Sequence, residues 1–133
     1  MATTQKVAAS LPLDQGLGIS KAVRTGNHVF VSGQMSLDED GNVLHPGQLA
    51  AQFRQAFDNL VAAVEQAGGT AQDVVATHMF LTQYPDQDDF VAICEAHKRT
   101  FSGQNQPTGT MVYVPRLPVD GAMVEVTGVA IVG

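Results

Sequence analysis

Apolar positions recur along this chain with two different periods. Between residues 49 and 64, Leu49, Phe53, Phe57, Leu60, Val61 and Val64 return every three or four positions, the spacing that lines one face of an α-helix. Pro46 suits its first turn and Gly68-Gly69 its end. A second helix is predicted over 87–101. It is headed by the capping cluster Asp86-Gln-Asp-Asp89 and carries Phe90, Ile93, Cys94, His97 and Phe101 on one face. Elsewhere the pattern is short-period and β-branched. Strands are predicted over 18–25, 28–34, 74–82, 109–114 and 122–132, with Val43-Leu44 as a brief addition. Thr25-Gly26-Asn27, Asp38–Asn42 and Pro115–Gly121 are the turns between them, and Thr70–Asp73 has the form of a capping box or a single helical turn.

The segment 74–82 is apolar on both of its faces. Val75, Thr77, Met79 and Leu81 fall on one side, and Val74, Ala76, His78 and Phe80 on the other. Such a strand is covered on both sides or lies at a subunit interface. The order β-β-α-β-α-β-β predicts a single α+β domain over 1–133, a mixed sheet with two helices on one face. The other sheet face still has to be covered, which predicts self-association.

Composition narrows the function classes. The chain has 133 residues, 44 % apolar and 15 % charged, which fits one globular domain. Its net charge of −6, with scattered Lys and Arg, argues against nucleic acid as a main partner. One cysteine, Cys94, rules out an intrachain disulfide and fits a reducing, cytoplasmic setting. No apolar run has the length of a membrane span, and the first residues lack the apolar core of a signal peptide. Four dispersed histidines without paired spacing make no metal site.

The candidate chemistry centres on Glu125, the one charge in an apolar strand between Val124 and Val126. Strand alternation points it away from them, either into water or into a pocket. A pocket would raise its pKa and suit it to proton transfer. Cys94 and His97, three positions apart on a helix, could meet, although free cysteine more often packs as a small hydrophobe. Ser32 lacks a Gly-x-Ser-x-Gly setting. Gly16-Leu-Gly18 lacks the third glycine of a dinucleotide loop, and Asp38–Asp40 reads as a solvated turn.

Several pieces, in order, resemble the Rid family, also called YjgF or RidA. They are Thr25-Gly-Asn-His-Val-Phe-Val-Ser-Gly-Gln34, the residues Gln52, Gln55-Ala-Phe-Asp-Asn-Leu60, Ala67-Gly-Gly69, Asp73-Val-Val75 with Phe80-Leu81, and Arg116-Leu-Pro118. The resemblance implies a chorismate-mutase-like α+β fold assembled as a homotrimer, with clefts between subunits that take small molecules. It also implies cofactor-free hydrolysis of reactive enamines or imines to carbonyl compounds and ammonia.

By the same resemblance Glu125 is the carboxylate that handles the proton of water or of the leaving amine. The cleft would be lined by Ile19, Ser32, Gly33, Cys94, Gly109, Thr110 and Met111. Ile19 stands where the family has an aromatic residue, and Cys94 where it has an amide. Gly109 stands where family members carry the arginine that grips a substrate carboxylate. Glycine cannot replace a guanidinium fork, so a non-standard substrate is expected, one that is larger, neutral or held by other groups, and the space freed at Gly109 favours a bulkier ligand. Arg24 or Lys21 of a neighbouring subunit could supply the missing cation, while Arg116 belongs to a structural turn. The alternatives are a small-molecule-binding trimer without turnover and an endoribonuclease, the latter disfavoured by the acidic charge.

Overall fold

The computed structural model describes residues 3–103 and 105–133. Six strands form one sheet: β1 (Thr4–Val7), β2 (Ala22–Thr25), β3 (His28–Met35), β4 (Val74–Leu81), β5 (Thr108–Tyr113) and β6 (Val124–Ile131). Their spatial order is β1-β2-β3-β6-β4-β5. All neighbours are antiparallel except β4 and β5. The helices are α1 (Pro12–Leu17), α2 (Leu49–Gln66) and α3 (Gln87–Thr100). The parallel pair β4–β5 requires a long crossover, and α3 supplies it.

The helical period of α2 buries Leu49, Phe53, Ala56, Phe57, Leu60, Ala63 and Val64 against one sheet face. From the sheet, Val29, Val31, Thr77, Met79, Leu81, Val124, Val126 and Ala130 point into the same layer. Gly128 lets α2 approach closely: a Cβ there would lie 3.2 Å from both methyl carbons of Leu60. Gly68, at φ 92°, reverses the chain after α2, and the Arg24 guanidinium donates to Ala67 O at 2.9 Å, capping that helix end. Gln52 is fully buried within α2. It donates to His45 O and Gly121 O, and it accepts from Met123 N.

Several elements differ from the pattern-based expectation. The strand predicted over 18–25 shrinks to Ala22–Thr25, because residues 12–17 form α1, closed by Gly18 in the left-handed region at φ 75°. This helix buries no residue, so it leaves no apolar stripe to read. β1 is polar and exposed and is held by its pairing with β2. α2 begins at Leu49 and not near Pro46, since His45 and Gly47 have positive φ and make a turn. Val43 makes an isolated bridge to Leu37 and no strand. In β4 a bulge between Val74 and Ala76 turns Val74 into the helix layer and leaves Val75 exposed. One inserted residue has thereby reversed the facing predicted for this pair.

The opposite sheet face has no helix layer. Phe30, Val112 and Ile131 lie on it, and all three are exposed. At one end a second, smaller core covers part of it: Met35, Leu37, Leu117 and Ala122, with Leu11, Val43 and Phe80 packed against them. Leu11 leads directly into α1. The first turn of α1 is therefore anchored over the end of the sheet where Glu125 is paired.

Candidate functional site

Glu125 on β6 stands opposite Met35 of β3 and Phe80 of β4. Alternation buries Val124 and Val126 in the helix layer and leaves Glu125 half-buried on the other face. Its carboxyl group lies over Gly33. A Cβ at Gly33 would be 2.7 Å from the Glu125 carboxyl carbon and 2.9 Å from Oε2. Gly33 thus makes the room that the carboxylate occupies.

Ser32 and Gly33 sit where the β3–β6 register slips, between Val31 and Gln34. Here the β3 backbone turns to the segment before β2. Ser32 N donates to Lys21 O at 2.9 Å, and Ser32 Oγ donates to Ser20 O at 2.6 Å. One residue earlier, Ile19 N donates to Asp14 O at 2.9 Å. Ile19, Ser32, Gly33 and Glu125 are therefore brought into one region, with Asp14 bordering it.

The remaining predicted site residues lie elsewhere in the protomer. β4 separates β5 from β6, so β5 runs ~10 Å from β6 at the usual strand spacing. Thr110 pairs with His78 on the open face. Gly109 and Met111 face the helix layer, and Met111 packs against its core. A Cβ on Gly109 would meet Met79 Cε at 3.2 Å and Thr77 Oγ1 at 3.4 Å. The expected vacant space at Gly109 is thus already bounded by Met79 and Thr77. Cys94 is a free, part-exposed thiol on α3. Its neighbour His97 turns to other partners. The ring packs edge-on against Phe57 and tilted against Phe101, with Nε2 3.4 Å from Thr77 Oγ1. Burial lowers the His97 pKa, so this is a neutral histidine at the core edge.

Arg24, Arg116 and Asp38 all have partners within the chain. Arg24 is engaged with Gly26 O and Ala67 O, which occupies the guanidinium within its own subunit. Arg116 pairs with Asp120 at the surface. Asp38 accepts from the backbone of Asp40 and Asn42, which orders the turn and lowers its pKa.

Burial raises the pKa of Glu125, and the Asp14 carboxylate raises it further. Asp14 itself is raised by burial and partly lowered again by Lys21. Asp14, Lys21 and Gln34 line a cavity of about 140 Å³ at the free edge of β3, together with Asn59 and Gln66 of α2. The sequence reading did not single out Asp14 or Gln34 as functional. Their only signal was the Asp inside an unrecognised short helix and the Gln of the Ser-Gly-Gln corner. A half-buried carboxylate with raised proton affinity, as at Glu125, can take a proton from water and return it to a leaving amine.

The mixed six-stranded sheet with its helices matches solved structures of one class of protein. The chain belongs to the YjgF/RidA family: the model described as "Endoribonuclease L-PSP" matches residues 17–132. A member of the YjgF/YER057c/UK114 family from Mycobacterium tuberculosis superposes with a TM-score of 0.80 at 32 % identity, covering 98 % of this chain and 100 % of that one. Among named relatives, the 3-aminoacrylate deaminase RutC of Acinetobacter baylyi is 34 % identical over 109 residues, 82 % of each chain. The 2-iminobutanoate/2-iminopropanoate deaminase of Dermatophagoides farinae is 33 % identical over 113 residues, 85 % of this chain and 84 % of that one. Among the described residues, no helix is long and apolar enough to cross a membrane.

Proposed function

We propose that the protein hydrolyses a reactive imine or enamine to a carbonyl compound and ammonia, with Glu125 carrying the proton. The single observation behind this reading is the half-buried Glu125 carboxylate seated over Gly33, with its proton affinity raised by burial. The deaminase names of two relatives support the same chemistry.

The steps balance around one carboxylate. Glu125 takes a proton from water as the oxygen bonds to the C=N carbon of a protonated imine, giving a neutral carbinolamine and a protonated Glu125. Glu125 returns that proton to the nitrogen. The C–N bond then breaks with its electron pair on nitrogen, and the hydroxyl proton passes to the departing ammonia. The products are a carbonyl compound and an ammonium ion, and Glu125 is again ionised. A raised pKa helps both halves, because the group must hold and release a proton near neutral pH.

Glu125, Gly33, Ser32 and Ile19 form one wall, while Gly109 and Thr110 lie on β5 and Cys94 on α3. A cleft that joins both sets is built between copies of the chain, in a homotrimer closed through the exposed sheet face of Phe30, Val112 and Ile131. The ligand is a small molecule, and the single free cysteine suits a reducing cytoplasm.

Ammonia release from freshly generated imines tests the reading. Glu125→Gln is expected to cut turnover by roughly 10²- to 10⁴-fold while the protein stays folded. Unchanged turnover in this variant would remove Glu125 from the chemistry. No release from any imine by the folded wild-type assembly would leave a ligand-binding role in its place.

A further inference from the structure

His97 has no role in the chemistry above, yet it is tied into the sheet by more than packing. Its half-buried ring lies edge-on to Phe57, at 5.2 Å between centroids, and tilted against Phe101 at 4.9 Å. Nε2 is 3.4 Å from the hydroxyl oxygen of Thr77 on β4. Thr77 is only 1 % exposed, and the same hydroxyl lies 3.2 Å from Thr108 O, at the first residue of β5. Thr108 Oγ1 in turn donates to Val75 O at 3.3 Å. A polar chain therefore runs from α3 through β4 into the start of an edge strand.

Proton bookkeeping gives this chain a direction. A hydroxyl has one proton to give, and a carbonyl can only accept. With the Thr77 proton on Thr108 O, the contact to His97 is a hydrogen bond only if Nε2 carries a hydrogen. The other neutral tautomer leaves one of the two contacts without a proton. Both are satisfied by His97 protonated at Nε2, which makes Nδ1 an acceptor. Nδ1 forms no hydrogen bond among the described residues, and no fully enclosed side-chain nitrogen or oxygen among them lacks a partner. Nδ1 is thus open to water, and a further proton enters there.

No charge compensates that proton. Phe57 faces the ring from α2, Phe101 from the end of α3 and Thr77 from β4. Cys94 stands three positions away on α3, while Glu95, Lys98 and Arg99 of α3 and Arg54 and Asp58 of α2 are exposed. His78 of β4 lies on the opposite sheet face, paired with Thr110. Burial alone pushes the His97 pKa down. An imidazolium keeps its Nε2–H but needs water around its charge, which Phe57 and Phe101 exclude. Proton uptake therefore draws the ring outward and takes the donor away from Thr77.

We propose that His97 is a positioning residue: its neutral form aims the Thr77 hydroxyl at Thr108 and fixes the start of β5, and its protonated form releases that strand end. Gly109 follows directly, and a Cβ there would lie 3.4 Å from Thr77 Oγ1, so the strand backbone rests against this hydroxyl. Burial opposes the proton, so release begins below about pH 6.5 and is absent above it. Any effect on turnover rests on the reading of β5 as a wall of the cleft. His97 takes no part in the bond-making steps.

The test is a titration of the wild-type assembly from about pH 8 to about pH 5, followed by the His97 ring signals and the amides of Thr108 and Gly109. The ring is expected to show the Nε2–H tautomer at the upper end, and both amides should shift with its midpoint. In Thr77→Val the ring still titrates and the amides no longer follow it. Thr77→Ser, which keeps the hydroxyl, restores the coupling. His97→Phe retains an aromatic ring between Phe57 and Phe101 and leaves both amides flat. An Nδ1–H tautomer, a ring that stays neutral throughout, or flat amides beside a titrating wild-type ring would overturn the proposal. With an imine that is turned over, Thr77→Val should raise KM about 2- to 10-fold at unchanged kcat. Coupled amides with an unchanged KM would remove β5 from the cleft wall. Coupled amides in a protein that hydrolyses no imine would sink the deaminase and leave the positioning role standing.

Discussion

The two faces of the sheet are made from the same strands and have opposite fates. On one, Val124, Val126, Leu81 and Val29 are fully buried under α2, with Phe53, Phe57 and Leu60 packed onto them. On the other, Phe30 is 47 % exposed, and Glu125 shares its face with Thr127 and Val129, with neither α2 nor α3 packed on it. The first face is satisfied within the chain and carries the stability. The second retains exposed apolar area and a half-buried carboxylate. Two glycines show the contrast. A methyl group at Gly128 would press on core side chains of α2, whereas one at Gly33 would press on the carboxylate of Glu125.

Changes on the covered face should dominate stability. Phe57→Ala, which removes a fully buried ring in contact with Phe53, His97 and Phe101, is expected to cost about 3–5 kcal/mol in denaturant unfolding. A loss below about 1 kcal/mol would mean that the helix layer is not the main core. Gln52→Ala comes next, at about 1–3 kcal/mol, because His45 O, Gly121 O and Met123 N lose their shared buried partner. Gly128→Ala should cost about 1–3 kcal/mol through overpacking against Leu60.

Changes on the open face should alter association or activity and leave the protomer intact. Phe30→Lys is expected to shift the unfolding free energy by no more than about 0.5 kcal/mol and to yield smaller species in sedimentation. An unchanged assembly would exclude this face as the contact between copies. Gly33→Ala should retain the fold and displace the Glu125 carboxyl, lowering turnover without changing the oligomer.

The smallest effect is in pH dependence. Glu125 has its pKa raised in the folded protein by burial and then by Asp14. The folded state therefore holds the proton longer than the unfolded chain, and stability from this group is lost as pH rises from about its ordinary value. Glu125→Gln should match wild type near pH 4 and become the more stable protein as pH rises. Denaturation midpoints across that range would check the sign. The opposite trend would show Glu125 to be stabilised as an anion by a charge or donor absent from this protomer.

Much of the covered layer was legible in the sequence. The three-to-four spacing of Leu49, Phe53, Phe57 and Leu60 and the capping sequence at Asp86 placed both long helices, and the hairpin turn at Gly26 placed β2 and β3. The elements that escaped were those without an apolar signature. α1 buries nothing, and β1 is held by its neighbour's backbone. The bulge at Val75 was also invisible, because an inserted residue changes facing without changing composition. For the site, the isolated charge of Glu125 between two valines was readable, since alternation forces it to the opposite face from a core pair.

The sequence by itself determined the periodicity of the elements, the carboxylate that stands apart from them, and the membership of the chain in its family, because these are local patterns along one strand or helix. Tertiary structure decided which groups meet. It set Gly33 beneath Glu125, brought Asp14 to the same edge, engaged Arg24 at the end of α2, and separated β5 from β6 by a strand. Those outcomes depend on register, on a bulge and on the path of short polar segments, all of which are fixed by backbone pairing between residues far apart in the chain.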